Sequence, residues 1–537
     1  MKLISIIRSC VFPAVLAGIL TFGFSQSTPV DFRHPVYTFI RQQIALSHVR
    51  QPSNGIQPYT HSEIRHTLGL LSKNDALSDF DKETLKIYSQ EFEVDTMPKG
   101  LSGVWQSGHR RKLSKQLLSI NGAAPHFAAY KDNQLTTWID WEETIRWQRE
   151  NDVSRGYYSD RLSIHGEFNN HLSFYSDYTL YRLENAPGFS GMPNEYKQGH
   201  KMSFDEVDLT IWDISQASIV YENPVLNIEF SKKPVYWGLS PKNSPIFSNQ
   251  VLPFTFIGFS KKYKRVEMTS FHGALMPFSP TRRDSVIPEK RIAGHRFDFS
   301  PGDNITLAFS EIVIYARRTL EPGYLLPVNL FWSEEHNLGD RDNILMAFEA
   351  KWGIRPGIEI YGTFLWDELS WLDLFSQWWG NKFVFQSGFY WVPSLSGHLP
   401  DLRVEFTAAR PWVYTHNDSL ITFTSADIGL GFPHGPNSQL LYVESNWWLS
   451  PQSLWTLSYR HLAKGSNLGS NPTDNYNNRD QSLDDNTPFL LGEITTSNQI
   501  ELQGNYRISY MLEGFINLSY LDEPNQIYGQ IGFVFNW

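Results

Sequence analysis

The sequence predicts a membrane all-β fold: an antiparallel transmembrane β-barrel of about 18 strands behind a small N-terminal α-helical bundle. Three observations predict it. The composition is polar on average yet rich in aromatics. The C-terminal strands alternate with a period of two. The connections between predicted strands are short on one side and mostly long on the other.

Of 537 residues, 41% are apolar and 15% aromatic, with 18 Trp, 25 Tyr and 36 Phe. Mean hydropathy is nevertheless −0.35. Strands that alternate lipid-facing and lumen-facing residues give this combination, because half of each strand stays polar. After the first residues no run is apolar for the ~20 residues that a spanning helix needs. A net charge of −10 argues against nucleic acid as a partner.

The start of the chain reads as an export signal. Lys2 and Arg8 precede an apolar run from Val11 to Phe24, and Gly23 with Ser25, or Ser25 with Ser27, suit a signal peptidase. Residues 1–27 are therefore expected to be a signal peptide. Cys10, the only cysteine, lies inside it. The mature chain then has no disulfide and no cysteine metal site, and neither metal nor cofactor is expected.

Residues 28–95 have helical spacing. Val36, Phe39, Ile40 and Ile44 follow Pro35, Thr60 and Glu63 form a capping box ahead of Ile64, Leu68 and Leu71, and Ser78 opens a segment with Leu85, Tyr88 and Phe92 on one face. This part is expected to be a periplasmic bundle. Residues 96–135 read as a linker and approach to the barrel, and 136–537 as the barrel.

The last strand is the sharpest local signal. Ile527, Gly529, Ile531, Phe533, Phe535 and Trp537 share one face, and the sequence given ends on that aromatic residue. Phe533, Phe535 and Trp537 are expected to be the signal read by the barrel assembly machinery. With Trp537 in the periplasm, the periplasmic connections come out short: Asn169-Asn170, Glu222-Asn223-Pro224, Lys261-Lys262, Pro301-Gly302, Ile354–Gly357 and Ser450-Pro451-Gln452. Most outer connections come out long: 184–206, 233–253, 276–290, 316–341, 367–380, 411–437 and 463–497. That asymmetry is the one outer-membrane barrels show.

Several stretches resemble the capsule assembly Wzi family: YWGLSPKNSPIFSNQVLPF from Tyr236, SEIVIY from Ser310, PVNLFWSEEHNLGDRDN from Pro327, RVEFTAARPWVYTH from Arg403 and GFPHGPN from Gly431. The likeness covers most of residues 30–537. It implies an 18-stranded barrel, periplasmic helices and no enzymatic step. Where that family reads Gly-Pro-Gly after Trp-Gly, this chain has Leu239-Ser240-Pro241.

With that resemblance, the expected function is a non-catalytic outer-membrane lectin that anchors exported capsular polysaccharide or exopolysaccharide. Its other expected partners are outer-membrane lipids and polysaccharide export machinery. The alternatives are a porin or sugar channel, and a barrel hydrolase, for which no Ser-His pair is identifiable in sequence. Sugar contact is assigned to three outer loops through Trp237, Asn243, Asn249, Glu334, Glu335, His336, Asn337, Trp412, Tyr414 and His416, since aromatic faces stack on sugars and carboxylates and amides bond hydroxyls. The Glu334–Asn337 cluster, with Asp340 and Asp342, also reads as a loop folded into the lumen and held by hydrogen bonds, as a cation site, or as a carboxylate acid/base pair. His336, His416 and His434 carry no spacing that fixes a metal. Trp447 and Trp448 read as girdle aromatics, and Trp366 admits both the girdle and the sugar reading. Trp371, Trp378 and Trp379 fall in an outer loop, where girdle and sugar readings both stand.

Overall fold

In the computed structural model eighteen antiparallel strands close on themselves. The structure describes residues 28–53, 55–93, 97–104, 120, 124–169, 171–193, 196, 201–204, 208–278, 287–368, 373, 376–393 and 399–537. The expected signal peptide and Trp371 lie outside these.

In chain order the barrel strands are β1 (Leu135–Glu150), β2 (Val153–Phe168), β3 (Leu172–Glu184), β4 (Leu209–Tyr221), β5 (Asn227–Lys233) and β6 (Phe254–Tyr263). They continue as β7 (Val266–Ala274), β8 (Lys290–Phe299), β9 (Ile305–Ala316), β10 (Asn343–Arg355), β11 (Ile358–Glu368) and β12 (Lys382–Trp391). The last are β13 (Leu402–Ala409), β14 (Ser438–Ser450), β15 (Ser453–Gly465), β16 (Ile494–Ser509), β17 (Leu512–Leu521) and β18 (Gln526–Asn536). Closure is made by β18 on β1, with Ile531 opposite Trp147 and Phe533 opposite Ile145. Trp537 continues that ladder by exchanging backbone bonds with Trp141 at 2.8 and 3.1 Å.

Every strand expected from the sequence falls on an observed one. One turn differs. Lys261 and Lys262 stay in the β6 ladder, opposite Met268 and Glu267, and the turn is Lys264-Arg265. Lys262 remains in strand because its ammonium is satisfied at the mouth, by the carbonyl of Pro52 at 2.6 Å. Both ends of the barrel chain lie at the short-turn end. There the approach segment adds Ala128–Lys131 beside the start of β1, itself paired with Gly100–Ser102.

Three helices, α1 (Val36–Ala45), α2 (His61–Leu71) and α3 (Asp79–Glu91), lie across the short-turn mouth. Thr60 caps α2 as expected: Glu63 N–H donates to Thr60 Oγ1 at 3.1 Å and Thr60 N–H donates to Glu63 Oε2 at 2.8 Å. Such a cap contributes about 1 kcal/mol. The helices share a core of Val36, Phe39, Ile40, Ile64, Leu68, Leu71 and Tyr88, and Trp448 and Leu454 of the wall belong to it. Trp448 is thus no girdle residue. The alternation of β14 turns it inward, where its Nε1 donates to Gln42 Oε1 at 2.9 Å. Trp447 and Trp366 are partly exposed and point outward. Further ties are Gln42 to Asp401 at 3.0 Å, Arg507 to Glu91 at 2.6 Å, and the Tyr510 hydroxyl to the Ile87 carbonyl at 2.9 Å.

Between α1 and α2 the chain enters the lumen. Ser53 donates to Glu267 at 2.6 Å, and Ile56 and Gln57 pair as a two-residue ladder with Trp237 and Tyr236. The partner residues belong to the connection 234–253, which comes from the long-loop end and folds inward. Gly238 N–H donates to the Gly55 carbonyl at 2.7 Å. Gly55 has φ +66°, and a Cβ there would meet the Arg296 guanidinium at 2.7 Å, so this meeting point needs glycine.

The inward loop nucleates the largest apolar core. Trp237, Ile246 and Phe247 pack on wall residues Phe271, Ile292, Ile312, Leu345 and Val384, and on Val413, Tyr414 and Phe423 of the connection after β13. Burial of each such side chain contributes roughly 1.5–3 kcal/mol. The half of the lumen bounded by β6–β14 is filled. The other half keeps polar residues such as Arg146, Arg460, Gln503, Asn517 and Gln530 only partly buried.

Candidate functional site: the long-loop face

The ten residues assigned to sugar contact separate into three environments. Trp237, Asn243, Trp412 and Tyr414 are buried, at 5% exposure or less. Asn243 Nδ2 donates to Glu405 Oε2 at 3.1 Å, and the Tyr414 hydroxyl donates to the Pro245 carbonyl at 2.6 Å. These four hold the lumen packing, and an external polymer does not reach them. The sequence could not separate them from surface residues, because partners such as Glu405 for Asn243 and Pro245 for Tyr414 lie over a hundred positions away.

Glu334, Glu335, His336 and Asn337 occupy a second environment. They sit on α4 (Phe331–Asn337), in the connection after β9, which folds back over the outer wall instead of rising from the rim. His336 and Asn337 are exposed and Glu335 is buried. Burial first, then the neighbouring Asp340 carboxylate, push Glu335 up to about 7. Glu335, His336 and Asp340 each bring a ligand atom within 4.8 Å of the others, a set that could hold a divalent cation. His336, His416 and His434 are not brought together: His416 meets Tyr476 edge-on at 5.7 Å and His434 meets Phe432 at 5.4 Å. Burial drives His434 down to about 3.

Asn249, exposed, and His416, half-buried, are the remaining two. His416 leads to a cluster that the sequence reading did not assemble. Tyr476, from the connection 466–493, lies between His416 and Trp379, with its ring 5.5 Å from that of Trp379. The Arg479 guanidinium lies 3.8 Å over Trp379, and the Lys382 ammonium lies 4.1 Å from the Tyr476 ring. Three loops are locked together here: Trp379 N–H donates to the Asp484 carbonyl at 2.8 Å and Asn475 Nδ2 donates to the Asn417 carbonyl at 2.6 Å. Trp378 and Trp379 therefore belong with the loops and not with the girdle. A signal did exist, since Tyr476 is the sole aromatic in the polar run 466–487. Chemically the cluster offers half-buried aromatic faces beside fixed cations. That suits pyranose rings and anionic substituents.

A cavity of about 210 Å³ remains in the lumen between α1 and the inward loop, lined in part by Arg41, Lys242, Tyr361, Tyr390 and Arg403. On the outer wall the register aligns Ser270, His295 and Glu311 across three strands. His295 pairs with Glu311 at 2.8 Å. Ser270 Oγ makes no hydrogen bond, and the Phe331 ring covers the imidazole at 4.3 Å. No nucleophile–base contact is formed there.

The strand count, closure and short-turn/long-loop asymmetry define an outer-membrane β-barrel fold. Among solved structures the chain is similar to Wzi of Escherichia coli, described as an outer membrane protein involved in group 1 capsule assembly and a carbohydrate-binding β-barrel. The TM-score is 0.56 at 12% identity, over 95% of this chain and 99% of that one. It also matches OprD of Pseudomonas aeruginosa (TM-score 0.42, 8% identity, 75% of this chain and 95% of that one) and OccAB2 of Acinetobacter baumannii (0.43, 7%, 75% and 98%). No family model and no curated protein matches the sequence. The fold is Wzi-like.

Proposed function

We propose that the chain is a non-catalytic outer-membrane lectin that holds exported capsular polysaccharide or exopolysaccharide at the cell surface. The observation that carries this reading is the obstructed lumen. A helical bundle lies across one mouth, and a loop from the other end pairs with it at Ile56 and Trp237. A barrel filled in this way favours binding over conduction. The likeness in fold to a carbohydrate-binding barrel supports the same reading, as does the resemblance of stretches such as that from Tyr236 to the Wzi family.

The contact surface in this reading is the cluster of Trp379, His416, Tyr476 and Arg479. A polymer engages many weak contacts at once, so no single side chain needs to dominate. The short-turn end and the helices would face the periplasm, available to export machinery.

The partly exposed polar half of the lumen favours a second reading, a sugar channel. One set of variants tests both. Trp379→Ala combined with Tyr476→Ala should release polysaccharide from the surface of a deletion strain while leaving bilayer conductance unchanged. Full retention by the double variant would overturn the lectin assignment.

A further inference from the structure

The connection 317–342 does not stand in water above the rim. Tyr324 and Phe331 pack on Ala293, Val313 and Tyr315. Those wall residues face outward, because their neighbours Ile292, Ile312 and Ile314 belong to the lumen core. The flap is tied down by polar bonds as well. Glu311 accepts the Phe331 N–H at 3.0 Å, the Tyr315 hydroxyl accepts the Glu321 N–H at 2.9 Å and bonds His272 at 2.7 Å, and Arg318 pairs with Asp342 at 2.5 Å. His295 and Glu311 are thereby dry and paired on a wall that would otherwise present them to lipid.

The depth of this flap follows from strand geometry. An apolar band about 25 Å tall on strands tilted about 40° takes about ten residues. β9 has only 12 residues, and Leu307 near its short-turn end is already exposed. The band must then run to the rim, so the wall under the flap, from Glu311 to Tyr315, lies within it or at its outer edge. The face of the flap turned away from the wall is apolar: Leu326 is 58% exposed, Val328 75%, Leu330 56% and Trp332 48%. The polar residues Ser333 to Asp342 follow as the chain climbs back to β10.

We propose that residues 320–332 form a membrane-embedded flap whose exposed side chains contact the acyl chains of outer-leaflet lipid, continuing the lipid-facing belt of the strands outward over the loop. The inference rests on the barrel spanning a bilayer and is independent of what the long-loop face binds. It also explains why a loop connection spends four large apolar side chains on an exposed surface while covering His295 and Glu311 beneath it.

The test uses single spin labels on the full chain in phospholipid vesicles, in a Cys10→Ser background, at Leu326→Cys, Val328→Cys and Leu330→Cys. Phe348→Cys on the outer wall and Asn477→Cys in the polar loop 466–493 serve as references. Each variant is read only after it shows the heat-dependent gel shift of a folded barrel. The expected result is an oxygen-to-nickel accessibility ratio at the three flap positions that matches Phe348→Cys and exceeds Asn477→Cys several-fold. A ratio matching Asn477→Cys would place the flap in water and overturn the proposal. Dipolar broadening between labels on neighbouring copies, with oxygen excluded, would make a second copy the occupant and overturn it equally.

Discussion

At the scale of single residues, Trp447 and Trp448 show what a period of two decides. Adjacent in sequence and identical in chemistry, they go to opposite sides of the wall. One faces lipid, and the other joins the helical core and bonds Gln42. The ties around Trp448 make the docking of the bundle dependent on pH. Burial would raise Glu91, but Arg507 and then His34 outweigh it and hold the carboxyl at about 2. Burial drives His61 down to about 3. Both pKa values are lower in the docked state than in the free one. The docked state therefore keeps its full advantage above the free values and loses it as pH falls, from about 6.5 for His61 and about 4.5 for Glu91. Acid should loosen the bundle, seen as protease cleavage within residues 50–60 that rises as pH drops from 6.5 toward 3 while the barrel stays folded. Cleavage that does not change across that range would contradict the assignment. Arg507→Ala should shift the same curve upward in pH, since a charge-assisted bond of this kind contributes on the order of 2 kcal/mol. The caps at Thr60 and Ser78 were legible because a capping signal is complete within four residues. The barrel partners of Gln42 and Glu91 were not, because Asp401 and Arg507 lie 359 and 416 positions away.

At the scale of elements, strands and loops differ in what the sequence carries. A strand states its own facing through alternation, so all eighteen could be placed, and only the Lys261-Lys262 turn moved. A loop states only that it is polar or aromatic. The connection 234–253 folds inward because Ile56, Glu405 and the wall of β7–β12 complete it, and the connection 317–342 folds outward because Ala293, Val313 and Tyr315 complete it. Aromatic content therefore misassigned Trp237, Trp412 and Tyr414 as surface groups, while Tyr476, in a polar run, passed unnoticed. Two predictions belong at this scale. Tyr476→Ala alone should weaken polysaccharide retention by a few fold, and with Trp379→Ala should abolish it, with unchanged heat-modifiability as the control. Trp537→Asp should lower outer-membrane yield without blocking export, since the closing ladder of β18 on β1 ends in the Trp537–Trp141 exchange and the change removes an aromatic anchor from the terminal strand. Normal yield would contradict it.

At the scale of the whole molecule the question is whether the two obstructing segments stay joined. They come from opposite ends of the barrel and meet in a ladder only two residues long, Ile56 with Trp237 and Gln57 with Tyr236. A short ladder is weak by itself. Its surroundings are not: Gly238 bonds Gly55, Leu239 N–H donates to Glu349 at 3.0 Å, Ser240 donates to Glu405 at 3.0 Å, and Arg296 pairs with both Asp298 and Glu349. Opening the plug would break the bonds that Leu239 and Ser240 donate to the wall carboxylates Glu349 and Glu405, and a hydrogen bond to a charged group contributes about 1.5–3 kcal/mol. A static plug is therefore expected. Directly opposed residues of an antiparallel pair have Cα atoms about 4.5–5.5 Å apart, within the range a disulfide spans. Ile56→Cys with Trp237→Cys should oxidise readily and lock the two segments. In planar bilayers the oxidised and reduced forms should show the same low conductance, because the plug does not move in either. If conductance were instead substantial in the reduced form and fell on oxidation, the segments would be a gate and the barrel a channel. Polysaccharide retention measured on the same protein separates the two further, since a surface lectin keeps its polymer whether the plug is locked or free.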